Sequence, residues 1–133
     1  LPSGWTPAGL VEHLAGAEWH WFQEVVSGVR QEAAPGEEIP EYDPTAAFVS
    51  NLPSAEIIAG YREQCAQSDA VLAATSLSAA PLGKHAFPGD PESAEPASVR
   101  EVVLHMIEET SRHAGHLDVV RELIDGRTGL GPR

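Results

Sequence analysis

Proline decides where this chain can be helical. Of its 11 prolines, Pro7 stands where a helix can open, whereas Pro35, Pro40, Pro44 and Pro53 crowd one stretch and Pro81, Pro88, Pro91 and Pro96 another. A proline inside a helix removes a backbone hydrogen bond and clashes with the preceding turn, and the residue before it avoids the helical region. Neither stretch can hold a helix longer than a turn or two, and Pro35-Gly36, Gly83 and Pro88-Gly89 break them further. Three segments remain, and each carries apolar residues at helical rather than alternating spacing. The chain therefore reads as all-α, and its 133 residues fit one domain, 1–133.

The first segment opens at Thr6-Pro7, with Thr as N-cap and Pro at the first helical position. It is predicted to run to Val26 or Gly28, burying Leu10, Leu14, Ala17, Trp21 and Val25, while Trp19 and Phe22 project elsewhere and imply that this helix is covered on more than one side. In the connection over 30–53, a short helical piece is expected at Ala46 to Val49, with Tyr42 and Phe48 as anchors, because a loop this long needs them in a compact domain. Ser54 is the expected cap of a second helix over 55–74, whose seam is Ile58, Tyr61, Cys65, Ser68 and Leu72. Cys65 reads there as a small buried hydrophobe. Lys84 and His85, in the second connection over 75–97, read as solvated. The third helix opens with the Ser98-Val-Arg-Glu101 capping box and closes at Asp125-Gly126, where Gly can take the left-handed conformation.

That last helix carries the chemistry. At about 100° per residue from His105, Glu109 lies near 40°, His113 near 80° and His116 near 20°, so four ligand-type side chains share one face. Val102, Val120 and Leu123 continue this face, which is therefore expected to point inward. Burying a carboxylate and imidazoles costs several kcal/mol unless each finds a partner. A metal ion is the partner that satisfies them together, and Glu109 with His113 at i, i+4 is the spacing at which a bundle helix presents two ligands. His13, at the edge of the first helix's buried stripe, is the natural third ligand, and His20 falls on nearly the same side one turn further out. Histidines can also satisfy one another without metal, but four ligand-type residues on one face, with a fifth on another helix, favour a site.

Charge and apolar patterning narrow the partners. With 20 acidic against 8 basic residues the formal charge is −12, which argues against nucleic acid or anionic membrane, both of which attract clustered Lys and Arg. No apolar run approaches the roughly 20 residues of a membrane span, and a single cysteine makes no internal disulfide. The sequence opens Leu-Pro-Ser without Met or a signal pattern, so this start is not taken as the natural one. A cytoplasmic protein is expected.

Gly9-Leu-Val-Glu-His13-Leu-Ala-Gly16, the His105 to His116 stretch and the closing Arg121-Glu-Leu-Ile-Asp-Gly126-Arg-Thr-Gly129 resemble the DUF664 branch of the DinB-like superfamily, which is largely actinobacterial and includes mini-circle proteins. The resemblance implies an up-down-down-up four-helix bundle with a divalent-metal site. It is similar to mycothiol-dependent maleylpyruvate isomerase in having Glu-x-x-x-His on the last helix where other relatives have His-x-x-x-His. Carried over residue by residue, it implies His13, Glu109 and His113 as metal ligands. Family members place a further long helix ahead of the segment corresponding to Leu1, so the bundle's first helix is expected to be absent from this chain through truncation, proteolysis or disorder. The groove so left would be filled by another chain or rearranged, and an exchanged helix or a homodimer is a candidate arrangement.

Three protein ligands with open positions suit catalytic zinc first, with nickel, iron or manganese as further candidates. The resemblance implies a thiol S-transferase or thiol-dependent isomerase in which the metal holds the sulfur of a low-molecular-weight thiol such as mycothiol as thiolate. His116 and His105 are the candidate catalytic proton carriers, and Arg112 and Arg121 the candidate cofactor contacts, although both arginines also suit surface ion pairs. The competing reading is a non-catalytic metal- or ligand-binding module acting as a sensor, sequestering or assembly protein. The substrate, a small molecule, is not specified by the sequence.

Overall fold

A computed structural model describes residues 2–30, 46–85 and 95–129. Among these, regular structure is entirely helical. Helix α1 spans Pro7–Glu18 and continues without a break into a π-helical extension, Trp19–Val26; α2 spans Ser54–Ala74 and α3 Val99–Asp125. The Thr6 hydroxyl accepts from Gly9 N at 3.0 Å, the N-cap expected of Thr-Pro. Helix α3 ends as its sequence requires, with Gly126 at φ +69° donating its N–H to the Glu122 carbonyl.

Other starts differ from expectation. Ser54 is the first residue of α2 rather than its cap; Pro53 stands at the cap with no side-chain hydrogen bond. At α3, Ser98 caps by backbone position alone, and Glu101 reaches past it to accept from Ala97 N at 2.9 Å. The segment 46–50 is not helical, because its backbone is used against α1: Phe48 O accepts from Thr6 N at 3.0 Å. Phe48 is an anchor as expected, while Tyr42 lies outside the described residues.

The π-helical extension changes which residues reach the core. Closing i→i+5 rings widens the helix by one residue per hydrogen-bonded ring, and Ser27 N donates back to Phe22 O at 3.2 Å in that pattern. Neighbours Trp21 and Phe22, then Val25 and Val26, are all buried. Phe22, expected to face another covered side of the helix, is buried as that implies, but in the same cluster as Trp21, because the π register turns both neighbours toward the core. These four pack with Val99, Val102 and Met106 of α3 into one cluster, with Val71 and Leu72 of α2 against it.

Contacts along the helices fix their directions. His13 meets Glu109, Trp21 meets His105, and Pro7 lies by Leu117 and Arg121, so α1 and α3 are antiparallel. Cys65 lies by Glu18 and Leu72 near Phe22, so α2 runs parallel to α1. Parallel neighbours require a crossover, which explains the length of the connection between them. Both α2 and α3 pack on α1 and its extension but not on each other, and an open groove of about 430 Å³ separates them. Ile57, not Ile58, is the buried residue at the start of α2, and Leu123 of α3 is 72% exposed. The inward face expected to continue to Leu123 therefore ends earlier, where α1 no longer covers it.

Candidate metal centre

Glu109 is where the first and last helices meet. Its Oε1 lies 2.9 Å from His113 Nε2 on the same helix and 3.2 Å from His13 Nε2 across the interface. One ligand atom from each of the three residues lies within 4.8 Å of the others. The other carboxylate oxygen, Oε2, faces Arg112 Nη1 at 3.4 Å, and Arg112 also pairs with Glu108 at 2.9 Å.

The electrostatics follow from this arrangement. The hydrogen bond from His13, reinforced by His113 and opposed by burial, holds the Glu109 carboxyl at about 2, well below its ordinary value. Burial lowers the pKa of His113, against the pull of Glu109, so the ring is held neutral. Its Nδ1 is buried with no hydrogen-bond partner among the described residues. The ring proton therefore sits on Nε2, where Glu109 accepts it.

Two imidazole nitrogens and one carboxylate oxygen are the donor set of open transition-metal sites. With metal–nitrogen and metal–oxygen bonds of about 2.0–2.2 Å, neighbouring ligand atoms on a tetrahedral ion stand roughly 3.3–3.6 Å apart, so Glu109 Oε1 would draw back from both nitrogens by a few tenths of an ångström to admit an ion. Coordination through Nε2 would move the His113 proton to Nδ1. Metal-bound histidines usually donate that proton to a carboxylate or carbonyl, and His113 has no such support among the described residues.

Aromatic rings surround the cluster. Phe48 stacks on His13 at 4.0 Å between centroids, and Trp5 lies 4.7 Å from Phe48, 5.9 Å from His113 and 5.5 Å from His116. The His116 ring is 5.6 Å from His113. Gly9 makes this collar possible: a Cβ there would collide with the Phe48 carbonyl, so the absent side chain lets the 46–50 backbone lie on the helix.

The remaining expected residues are dispersed. His105 and His116 are exposed rather than inward, because the buried stripe of α3, Val102, Met106 and His113, centres at about 80° on the helical wheel. His105 lies against Trp21, 4.4 Å between ring centroids. Arg121 pairs with Asp125 at 3.5 Å and donates to Gly129 O at 3.0 Å. His85, read as solvated, is half-buried, with its Nδ1 3.0 Å from His20 Nε2. Trp5 was not anticipated at the site; its only sequence signal is its place one residue ahead of the Thr6 cap. The α2–α3 groove includes none of the three ligand-type residues. Its floor of Phe22, Leu72, Val103 and Met106 is core surface that no fourth helix covers among the described residues, and the ligand-type residues gather at the Glu109 cluster instead. Cys65, which lines that groove, has its thiol pKa raised chiefly by burial, which removes the thiolate a nucleophile needs.

The family model described as mycothiol-S-transferase matches residues 1–126. The chain belongs to this DinB-like family. Comparisons with curated proteins and with solved structures return no match. Membership agrees with the all-helical fold and with a His/Glu/His group able to hold a metal. No helix among the described residues is long and apolar enough to cross a membrane.

Proposed function

We propose that the chain is a divalent-metal-dependent thiol S-transferase, with His13, Glu109 and His113 holding the ion, zinc first among the candidates, and mycothiol as the thiol. The observation that carries this reading is the convergence of two imidazoles on a single carboxylate oxygen at the interface of the first and last helices. An ion bound there would supply Lewis acidity that stabilises a thiolate at neutral pH. His13 and His113 orient Glu109, and Glu109 stays ionised at any physiological pH. In this reading His116, exposed and next to His113, would accept the proton leaving the thiol and pass it to solvent. In this reading Arg112, half-exposed beside Glu109, would meet an anionic group of the thiol or substrate at some cost to its ion pair with Glu108. Arg121 lies further along the same helix.

Metal content and thiol conjugation test the reading together. Untagged protein should purify with, or take up, one equivalent of metal at this site, and should accelerate conjugation of mycothiol to a fluorogenic electrophile. The activity should fall at least 100-fold in His113→Ala. A protein that binds metal there without accelerating conjugation would instead be a metal-binding module. One observation favours that second reading: Phe48 and Trp5 lie over the ligand rings, which narrows the approach to the ion.

A further inference from the structure

The π-helical extension and the second connection build another group of imidazoles away from Glu109. Loop residues 82–85 are fastened along the extension by Leu82 N to Val26 O at 3.1 Å and Gly83 N to Val25 O at 2.9 Å. Gly83 packs against the Glu24 carbonyl where a Cβ would collide. This close approach delivers His85 to His20. His85 Nδ1 faces His20 Nε2 at 3.0 Å, and the other nitrogen of His20, Nδ1, is 2.7 Å from Glu24 Oε2. The His85 ring stacks on Trp21 at 4.3 Å, and its backbone N–H donates to Glu95 at 3.1 Å.

We propose that His20 Nε2 and His85 Nδ1 form a second site for a divalent first-row transition-metal ion such as Zn²⁺. The site goes beyond the Glu109 cluster and does not depend on it. Glu24 and His85 meet opposite nitrogens of His20, so Glu24 is not a ligand; it accepts the Nδ1 proton and leaves the Nε2 lone pair directed at His85. That carboxylate–imidazole arrangement is the usual support of a metal-bound histidine. Two imidazole ligands at about 2.0–2.1 Å on a tetrahedral ion stand roughly 3.3 Å apart, so the pair must open by only a few tenths of an ångström. Binding exchanges the His85–His20 hydrogen bond for two coordinate bonds. The His85 proton moves to Nε2, and no net proton is released from neutral rings. The ion would pin the 82–85 loop to the extension.

The test is calorimetric titration of chelator-treated, untagged full chain with Zn²⁺. If both sites bind, wild type takes up two equivalents, His113→Ala one, His85→Gln one, and the double variant none. His85→Gln keeps a side chain able to hydrogen-bond His20, and circular dichroism checks that the helices persist. Glu24→Gln should weaken the second site about 10- to 100-fold. In a Trp5→Phe, Trp19→Phe background, Cu²⁺ should quench the remaining Trp21, and His85→Gln should abolish the quenching. A single equivalent that His85→Gln removes and His113→Ala does not would uphold this site while defeating the proposed transferase centre. Uptake unchanged in folded His85→Gln, or confined to what His113→Ala removes, overturns the inference.

Discussion

Glu109 carries two imidazoles on one oxygen, and that single acceptor controls both the protonation and the packing of the site. Glu109→Ala leaves the buried His113 N–H without a partner, a loss of about 1–3 kcal/mol that urea unfolding in chelator would measure. Glu109→Gln returns a neutral acceptor, so it should cost less stability while still weakening Zn²⁺ binding by at least tenfold. If the two variants were equally stable, the His113 proton would lie elsewhere than on Nε2. Glu109, His113 and His13 were legible in the sequence because each lies on or beside a helical stripe, where spacing predicts facing. Trp5 and Phe48 were not legible as site residues, since nothing in local spacing shows that 46–50 returns to the helix 40 residues earlier.

The first helix is the element that gathers both groups of histidines. Its start is local chemistry, and Thr6→Ala should cost about 1 kcal/mol through loss of the cap to Gly9 N. Gly9→Ala tests a tertiary role instead. Alanine is the better helix former by roughly 1 kcal/mol, yet its methyl collides with the Phe48 carbonyl and must displace the 46–50 segment, with an expected net loss of 1–3 kcal/mol as for overpacking. Thermal melts measure the loss, and Trp5 fluorescence reports whether the collar has moved. A more stable Gly9→Ala would mean that the segment does not lie on α1. Further along, the π-helical extension turns Trp21 and Phe22 together into the core and presents His20 to the 82–85 loop. Propensity gave no sign of this register change, which arises from packing against α3 and α2.

At the scale of the molecule, the ionisable groups set a window of stability against pH. His113 and Glu109 both have lowered folded-state values, so their contributions are present at higher pH and are lost on acidification. The loss begins below the ordinary histidine value of 6.5, continues below 4.5 for Glu109 and ends near its folded value of about 2. For Glu109 it is at most about 3 kcal/mol. Cys65 and Tyr61 have raised values, Tyr61 to about 12 through burial and its bond with Cys65, so their contributions are present below 9.0 and 10.0 and are lost as pH rises. Melting temperatures in chelator should therefore be highest between about pH 6.5 and 9 and fall on both sides. A maximum near pH 4 would contradict the Glu109 arrangement.

The three helices, their proline-bounded gaps, the glycine stop after Asp125 and the ligand-type residues are already written in the chain, because each depends on neighbours within a turn or two. It also carried the family likeness that the family model bears out over residues 1–126. Only the tertiary structure decided which face of α3 is buried, why His105 and His116 are exposed, and that His85 lies on His20. Those outcomes depend on what one helix meets on another, and long-range packing leaves no period in the chain.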